Sequence, residues 1–327
     1  MKSPNNFKIL TLFLVAAITF TSCDNDNDDV VVAPQPMNIV ETAQATPELS
    51  ILVDAVVKAD LVDALSAEGS MTVLAPTNDA FTAFLADKGF SSLDEVPNNV
   101  LTQILLNHVI PGANVESSAL IGGSGYVNTL ADGPNTSKLS LYYDGTSGVK
   151  FNGYSEVAIP DVITTNGIVH VVDNVIDLPT IATFATSNPA LSILVDALVY
   201  ADSGTPTVPY IDTVSDGTAG PFTVFAPTND AFASLLAELE VTSLSDIATE
   251  TVDAVLLMHI VNANVQSSQL ASGEVGTLGG PITADASAFT LTDANARVSN
   301  IVTSLVDIQG TNGVVHVIDK VILPNMN

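Results

Sequence analysis

Apolar residues at Leu49, Leu52, Val53, Val56 and Val57 recur three and four positions apart. That spacing gathers them on one face of a helix. Thr46-Pro47-Glu48 precedes them and reads as a helix start, with a cap, a proline at the first helical position and an acid near the positive end of the dipole. Met71–Ala75 is a short apolar run stopped by Pro76, which predicts a strand. Thr77 or Asn78 then caps a second helix carrying Phe81, Phe84 and Leu85 on one side, with Gly89 as its stop. Val100–Val109 predicts a further apolar helix or strand containing His108. Beyond it, Lys138–Tyr143, Val149–Asn152, Glu156–Ile163 and Gly167–Ile176 read as strands, and Asn166-Gly167 is a hairpin signal. Helices come early and strands late, so the predicted fold class is α+β.

The whole pattern then repeats. LSILVDA at Leu49–Ala55 returns at Leu191–Ala197, and TVLAPTNDAF at Thr72–Phe81 returns as TVFAPTNDAF at Thr223–Phe232. His108 returns as His259, and NGIVHVVDNVI at Asn166–Ile176 returns as NGVVHVIDKVI at Asn312–Ile322. The offsets are 142, 151, 151 and 146 in that order. The second copy therefore gains residues within Ser203–Gly220, a stretch of loop composition, and loses some between His259 and its NGVVH. Two units with so long a period are a pair of globular domains and not a solenoid.

The conserved order of TVLAPTNDAF, a central histidine and a final NG(I/V)VHV(V/I)D, with Asp161 or Asp307 before it, resembles the fasciclin domain. The resemblance covers residues 38–178 and 180–324. It implies two compact β-wedges, each a two-sheet β core with packed helices, and an extracellular, adhesive role. In adhesive members a Tyr-His pair with apolar flanks is associated with receptor binding. The corresponding pairs here are Asn107-His108 and Met258-His259, so the histidine is kept and the tyrosine is absent. Asn107, His108, Val109, Met258, His259 and Ile260 are accordingly the candidate interaction patch. The competing reading is that they are core helix ends around a buried histidine.

The first residues read as an address. Lys2 and Lys8 precede a 12-residue apolar run at Ile9–Phe20, shorter than the roughly 20 residues that span a bilayer. Thr21 and Ser22 follow, then Cys23, the only cysteine. This resembles a bacterial lipoprotein signal over residues 1–22 with acylation at Cys23, although Phe20 stands where the motif usually has leucine. Residues 23–37 then form an acidic tether that opens with DNDNDD. A calcium loop is rejected, because an EF-hand needs glycine at its sixth position and glutamate at its twelfth, where Asp29 and Gln35 stand. Acidic runs after the acylated cysteine resemble surface-export signals. The expected location is the outer membrane, surface exposed, with membrane contact through the acyl anchor only.

Composition narrows the chemistry. Lys plus Arg total 8 against 36 Asp plus Glu, a net charge of −28, which argues against a nucleic-acid partner. One cysteine excludes an intrachain disulfide framework. The four histidines, His108, His170, His259 and His316, fall at two equivalent positions per copy. Two histidines and no thiol are a poor metal set, so hydrogen-bonded structural roles are expected and neither metal nor cofactor. Thr77, Asn78 and Asp79, with Thr228, Asn229 and Asp230, read as helix caps more readily than as acid pairs for glycoside cleavage. No nucleophile elbow, P-loop or dinucleotide fingerprint occurs, and Gly122–Gly125 reads as a flexible loop. The expectation is a non-enzymatic adhesion or matrix-association protein whose partner is an extracellular protein or glycan matrix. A glycan-binding accessory to polysaccharide uptake is the alternative, with Tyr126, Tyr142, Tyr143 and Tyr154 as its stacking platform.

Overall fold

A computed structural model describes residues 36–325. The expected signal segment, the candidate acylation site Cys23 and nearly all of the expected acidic tether lie outside these described residues. Pro36 onward behaves as one compact unit.

The first copy supplies helices α1 (Ile39–Gln44), α2 (Ser50–Lys58), α3 (Val62–Ser66), α4 (Asn78–Asp87), α5 (Asn98–Asn107) and α6 (Ser117–Leu120). Its strands are β1 (Met71–Pro76), β2 (Val109–Pro111), β3 (Ser124–Asp132), β4 (Lys138–Asp144), β5 (Lys150–Phe151), β6 (Ser155–Ile163) and β7 (Gly167–Val172). The second copy supplies α7 (Ile181–Ser187), α8 (Ser192–Asp202), α9 (Tyr210–Ser215), α10 (Asn229–Glu238) and α11 (Thr249–Leu257). Its strands are β8 (Phe222–Pro227), β9 (Ile260–Val261), β10 (Gly273–Thr277), β11 (Gly280–Asp285), β12 (Thr290–Thr292), β13 (Val298–Asn300), β14 (Ile308–Gly310) and β15 (Gly313–Ile318). The fold is α+β in both copies.

Each copy is organised around one parallel pair, β1 with β7 and β8 with β15. These strands are buried almost throughout. Side chains alternate across a strand, so both faces need a core. Val73, Ala75, Val169 and Val171 face the helices with Leu52, Val56, Phe81, Leu101 and Leu105. Leu74 and Val172 face the other way, onto Leu141, Val149 and Phe151. Burying one such side chain is worth about 1.5–3 kcal/mol. The second copy divides its core in the same manner.

The sheets differ between copies. The second has two sheets, in the orders β14-β15-β8-β9 and β10-β11-β12-β13. In the first, β6 runs from one half to the other and joins all seven strands in the order β2-β1-β7-β6-β5-β4-β3. Two register shifts let β6 bend, between Val157 and Ile159 and between Ile159 and Val162. In the second copy only the isolated bridge Ile301–Ile318 marks that crossing.

Several local expectations are corrected. Pro47–Leu49 and Pro189–Leu191 form 3-10 turns, and the α-helices begin at Ser50 and Ser192. Thr46 does not cap: its hydroxyl donates to the Thr42 carbonyl at 2.8 Å. Asn188 does, accepting from the Ala190 N–H at 3.0 Å. The Gly122–Gly125 loop is half strand, since β3 starts at Ser124 and only Gly122, at φ 80°, turns the chain. The Asn166-Gly167 hairpin joins β6 to β7. Its glycine also lets the parallel strands close, because a Cβ there would lie 2.2 Å from the Met71 carbonyl oxygen.

The copies are fastened by a mixed interface. Tyr142 is buried within the second copy's core cluster. Tyr126 lies 5.0 Å from Tyr142, the rings tilted at 53°, and edge-on at 5.7 Å from Phe184 of α7. Asn188 donates its side-chain amide to the Tyr126 hydroxyl at 3.1 Å, and the Gln309 N–H donates to the Ser140 hydroxyl at 2.9 Å. The tyrosine platform is therefore dismantled: Tyr126 and Tyr142 are spent on joining the copies. Truncating Tyr142 to alanine is expected to cost about 3 kcal/mol. It should also split a single melting transition into two, and calorimetry of the Tyr142→Ala variant checks this.

Candidate functional site

The repeated motif residues are built into the fold at matching places. Thr77 and Thr228 are the N-caps of α4 and α10, their hydroxyls accepting from the Ala80 and Ala231 N–H groups at 3.2 Å. Asn78 and Asn229 reach back to the preceding helix. Asn78 Oδ1 accepts from the Ile51 N–H at 2.9 Å and its amide donates to the Pro47 carbonyl at 3.0 Å. Asn229 does the same with Ile193 and Pro189 at 2.9 Å each. Asp79 and Asp230 lie exposed in the first helical turn, where a carboxylate offsets the dipole.

Each histidine bridges two backbone groups. His108 Nδ1 faces the Ile104 carbonyl at 2.7 Å, and its Nε2 accepts from the Ile176 N–H at 2.9 Å. His259 repeats this with Val255 at 2.8 Å and Ile322 at 3.0 Å. A nitrogen that accepts an N–H carries no proton, so both rings are neutral with hydrogen on Nδ1. His170 and His316 use the opposite tautomer. Their Nε2 atoms face the Val115 and Val265 carbonyls at 2.8 and 2.9 Å. Their Nδ1 atoms accept from the Asp161 and Asp307 N–H groups at 3.1 and 3.2 Å. All four are buried.

Burial in apolar surroundings lowers His108 and His259 from 6.5 to about 4, against the opposing pull of the hydrogen-bonded carbonyls. Burial lowers His316 too. Asp161 and Asp307 sit at φ 58° and 55°, a left-handed conformation that aspartate tolerates. Asp161 accepts from the Ser117 hydroxyl and backbone N–H, and those bonds hold its carboxyl below the usual range. Asp307 binds Ser267 in the same way.

Two further repeated side chains belong to this set and the sequence reading missed their roles. Asn166 Oδ1 accepts from the Ile39 N–H at 2.9 Å, and its amide donates to the Leu65 and Ala67 carbonyls. Asn312 repeats this with Ile181, Val214 and Asp216. Thr72 donates to the Ala113 carbonyl and accepts from the Val115 N–H, as Thr223 does with Ala263 and Val265. Their recurrence in both copies was the available signal.

The proposed interaction patch is corrected. Asn107, His108, Val109, Met258, His259 and Ile260 are all buried, and His108 and His259 are 2% exposed. They close α5 and α11 and lead into β2 and β9, so both faces of the turn meet core. Asn107 Oδ1 accepts from Thr129 and its amide donates to the Asp177 carbonyl, which leaves no polar group for a partner. Among the described residues no group of three or more His, Cys, Asp and Glu is placed to hold a metal.

The surface feature with mixed chemistry lies elsewhere, in the first copy. It is an open groove of about 540 Å³ between α4 and the segment after β7, lined by Phe84, Asp87, Lys88, Tyr154, Asn174 and Asp177 among others. Lys88 pairs with Asp177 at 2.6 Å, and that contact raises its pKa. The Tyr154 hydroxyl accepts from the Asp177 N–H at 2.8 Å, and burial raises its pKa to about 12.

A mixed α+β unit, doubled in one chain and closed by buried polar side chains, defines the class. The fasciclin domain family model matches residues 47–179 and 193–324, and the chain belongs to that family. Protein sll1483 of Synechocystis is 37% identical over 147 residues, covering 45% of this chain and 74% of the relative. Periostin of Homo sapiens is 28% identical over 274 residues, covering 81% of this chain. The chain spans only 30% of periostin. A solved FAS1 domain pair from the insect cell adhesion molecule fasciclin I matches with a TM-score of 0.50 at 18% identity. That match covers 84% of this chain and 97% of the other.

Neutral buried histidines make stability depend on pH. The folded pKa near 4 lies below the 6.5 of a free imidazole, so the unfolded chain takes up the proton first as pH falls. Stability should be full above 6.5, decline down to about 4 and then level off in this contribution. Each ring accounts for up to about 3 kcal/mol. Urea midpoints across that window check this, and a His108→Gln variant should show a flatter profile than the parent.

Proposed function

We propose that this protein is a secreted, lipid-anchored adhesion module that associates with cells or extracellular matrix through protein contacts. The observation that carries the reading is the fused pair of fasciclin domains, matched over both copies by the family model. The same pairing in a cell adhesion molecule supports it. The acidic balance favours basic partner surfaces and opposes nucleic acid and anionic lipid. Two domains held by Tyr126, Tyr142 and Phe184 present their outer surfaces at a fixed spacing, which raises apparent affinity where two partner sites match it.

Acylation at Cys23 would moor the module, and the acidic run behind it would direct it to the outer surface of the outer membrane. The glycan-uptake alternative is weakened by the loss of Tyr126 and Tyr142 to the interface between copies. The soluble Cys23→Ala form is expected to bind intact cells or extracted matrix, measured by pull-down and microscopy. Binding to no cell, matrix or glycan preparation would overturn the reading. Protease shaving of intact cells should remove the native protein, and its protection there would place it in the periplasm instead.

A further inference from the structure

The two copies treat one corner of the fold differently. In the second copy the last residue of α10, Glu238, holds an internal guanidinium: Arg297 donates to its carboxylate at 2.6 Å. A second arm of Arg297 donates to the Val321 carbonyl at 3.1 Å, and Asp293 lies 3.7 Å away. The corresponding residues of the first copy, by the repeat offsets of 151 and 146, are Asp87 and Val175. Both line the open groove. No arginine reaches them. Gly153 precedes Tyr154 just as Arg297 precedes Val298, because Ser155 and Ser299 match as buried strand residues beside Glu156 and Asn300, whose N–H groups donate to Asp173 and Asp319.

We propose that the first-copy groove is a receptor for an arginine side chain presented by a partner protein, which would reach Asp87 and the Val175 carbonyl, as Arg297 reaches Glu238 and the Val321 carbonyl, and lie beside the Tyr154 hydroxyl that already stands there. The Asp87 carboxylate is 78% exposed and stands 3.8 Å from Lys88, whose ammonium is committed to Asp177 at 2.6 Å. Asp87 therefore offers acceptor positions to a guanidinium fork. The Val175 carbonyl faces only the Tyr154 hydroxyl at 3.5 Å, too long for a strong bond, and can take a second N–H. The exposed Tyr154 ring gives the planar group an aromatic surface to lie against, while the Phe84 ring already carries the Lys88 ammonium at 5.9 Å. Asp87 and Asp177 against Lys88 leave the groove net negative, and the chain's charge of −28 draws basic partners toward it. A neutral saccharide is the competing ligand, but nothing in the second copy mimics one, whereas Arg297 supplies an internal likeness of the guanidinium.

The inference goes beyond the adhesion reading and can fail separately, because it needs no cell or matrix. The test titrates the full chain, carrying Cys23→Ala for solubility, with acetyl-Gly-Arg-Gly-amide while following backbone amide resonances. Parallel titrations use the lysine and citrulline analogues and maltotriose. The expected result is a saturable shift at Phe84, Asp87 and Tyr154 with the arginine peptide. The lysine analogue should bind more weakly, and Asp87→Asn and the citrulline analogue should each lose about tenfold in affinity. The absence of a saturable shift, equal binding of the citrulline peptide, or an unchanged Asp87→Asn affinity would each overturn the proposal. Saturation by maltotriose without the arginine peptide would also overturn it and reassign the groove to glycans. Asp87 is exposed at a helix C-terminus, where losing a negative charge does not threaten folding.

Discussion

The fold depends on closing a parallel strand pair whose partners lie at opposite ends of each copy. β1 pairs with β7 and β8 with β15 in unbroken register, and both faces of each pair are buried. Parallel strands cannot be joined by a tight turn. Nearly the whole domain must pass between them and return, and the crossing segments bring backbone N–H and C=O groups into the interior. Each such group costs about 1–3 kcal/mol if left unpaired. Thr72, His108, Asn166 and His170 pair them in the first copy. Thr223, His259, Asn312 and His316 pair them in the second. The repeated motif is thus a set of polar closures for the parallel pair.

This explains what the sequence made legible. Amphipathic helices such as α2 and α4 and the apolar strands β1 and β7 announce themselves by local period, and the repeat offsets expose the duplication. The caps Thr77 and Thr228 were legible because a threonine ahead of an apolar helical run has few other roles. The candidate patch around His108 and His259 was misread for a physical reason. A helix end followed by a two- or three-residue strand looks like a surface turn, and only the tertiary structure shows that Ile176 and Ile322 cover it. The partners of Asn166 and Thr72 were equally hidden, since they lie scores of residues away in the chain.

The surfaces that differ between copies follow another logic. The hairpin β3–β4 pairs Tyr126 with Tyr142 and seats both against the second copy. In the matching hairpin β10–β11, counted from the buried cross-strand residues Phe151 and Leu291, the paired positions are Glu274 and Thr283, both exposed. The second copy therefore presents a polar face where the first presents an aromatic one.

Duplication thus separates two kinds of residue in one chain. The buried polar positions kept in both copies satisfy backbone groups, and a change there is felt as lost stability. Some positions that diverged, Asp87 among them, are exposed and free of that duty. The neutral histidines sit firmly in the first group: a ring that bridges a carbonyl and an N–H in a dry interior has no proton or lone pair to offer a ligand. Asp87 with its groove, against Glu238 with Arg297, belongs to the second group. On the proposed adhesion reading, selectivity is to be sought in the differences between the halves, because the buried polar residues of their common motif are consumed in holding each half together.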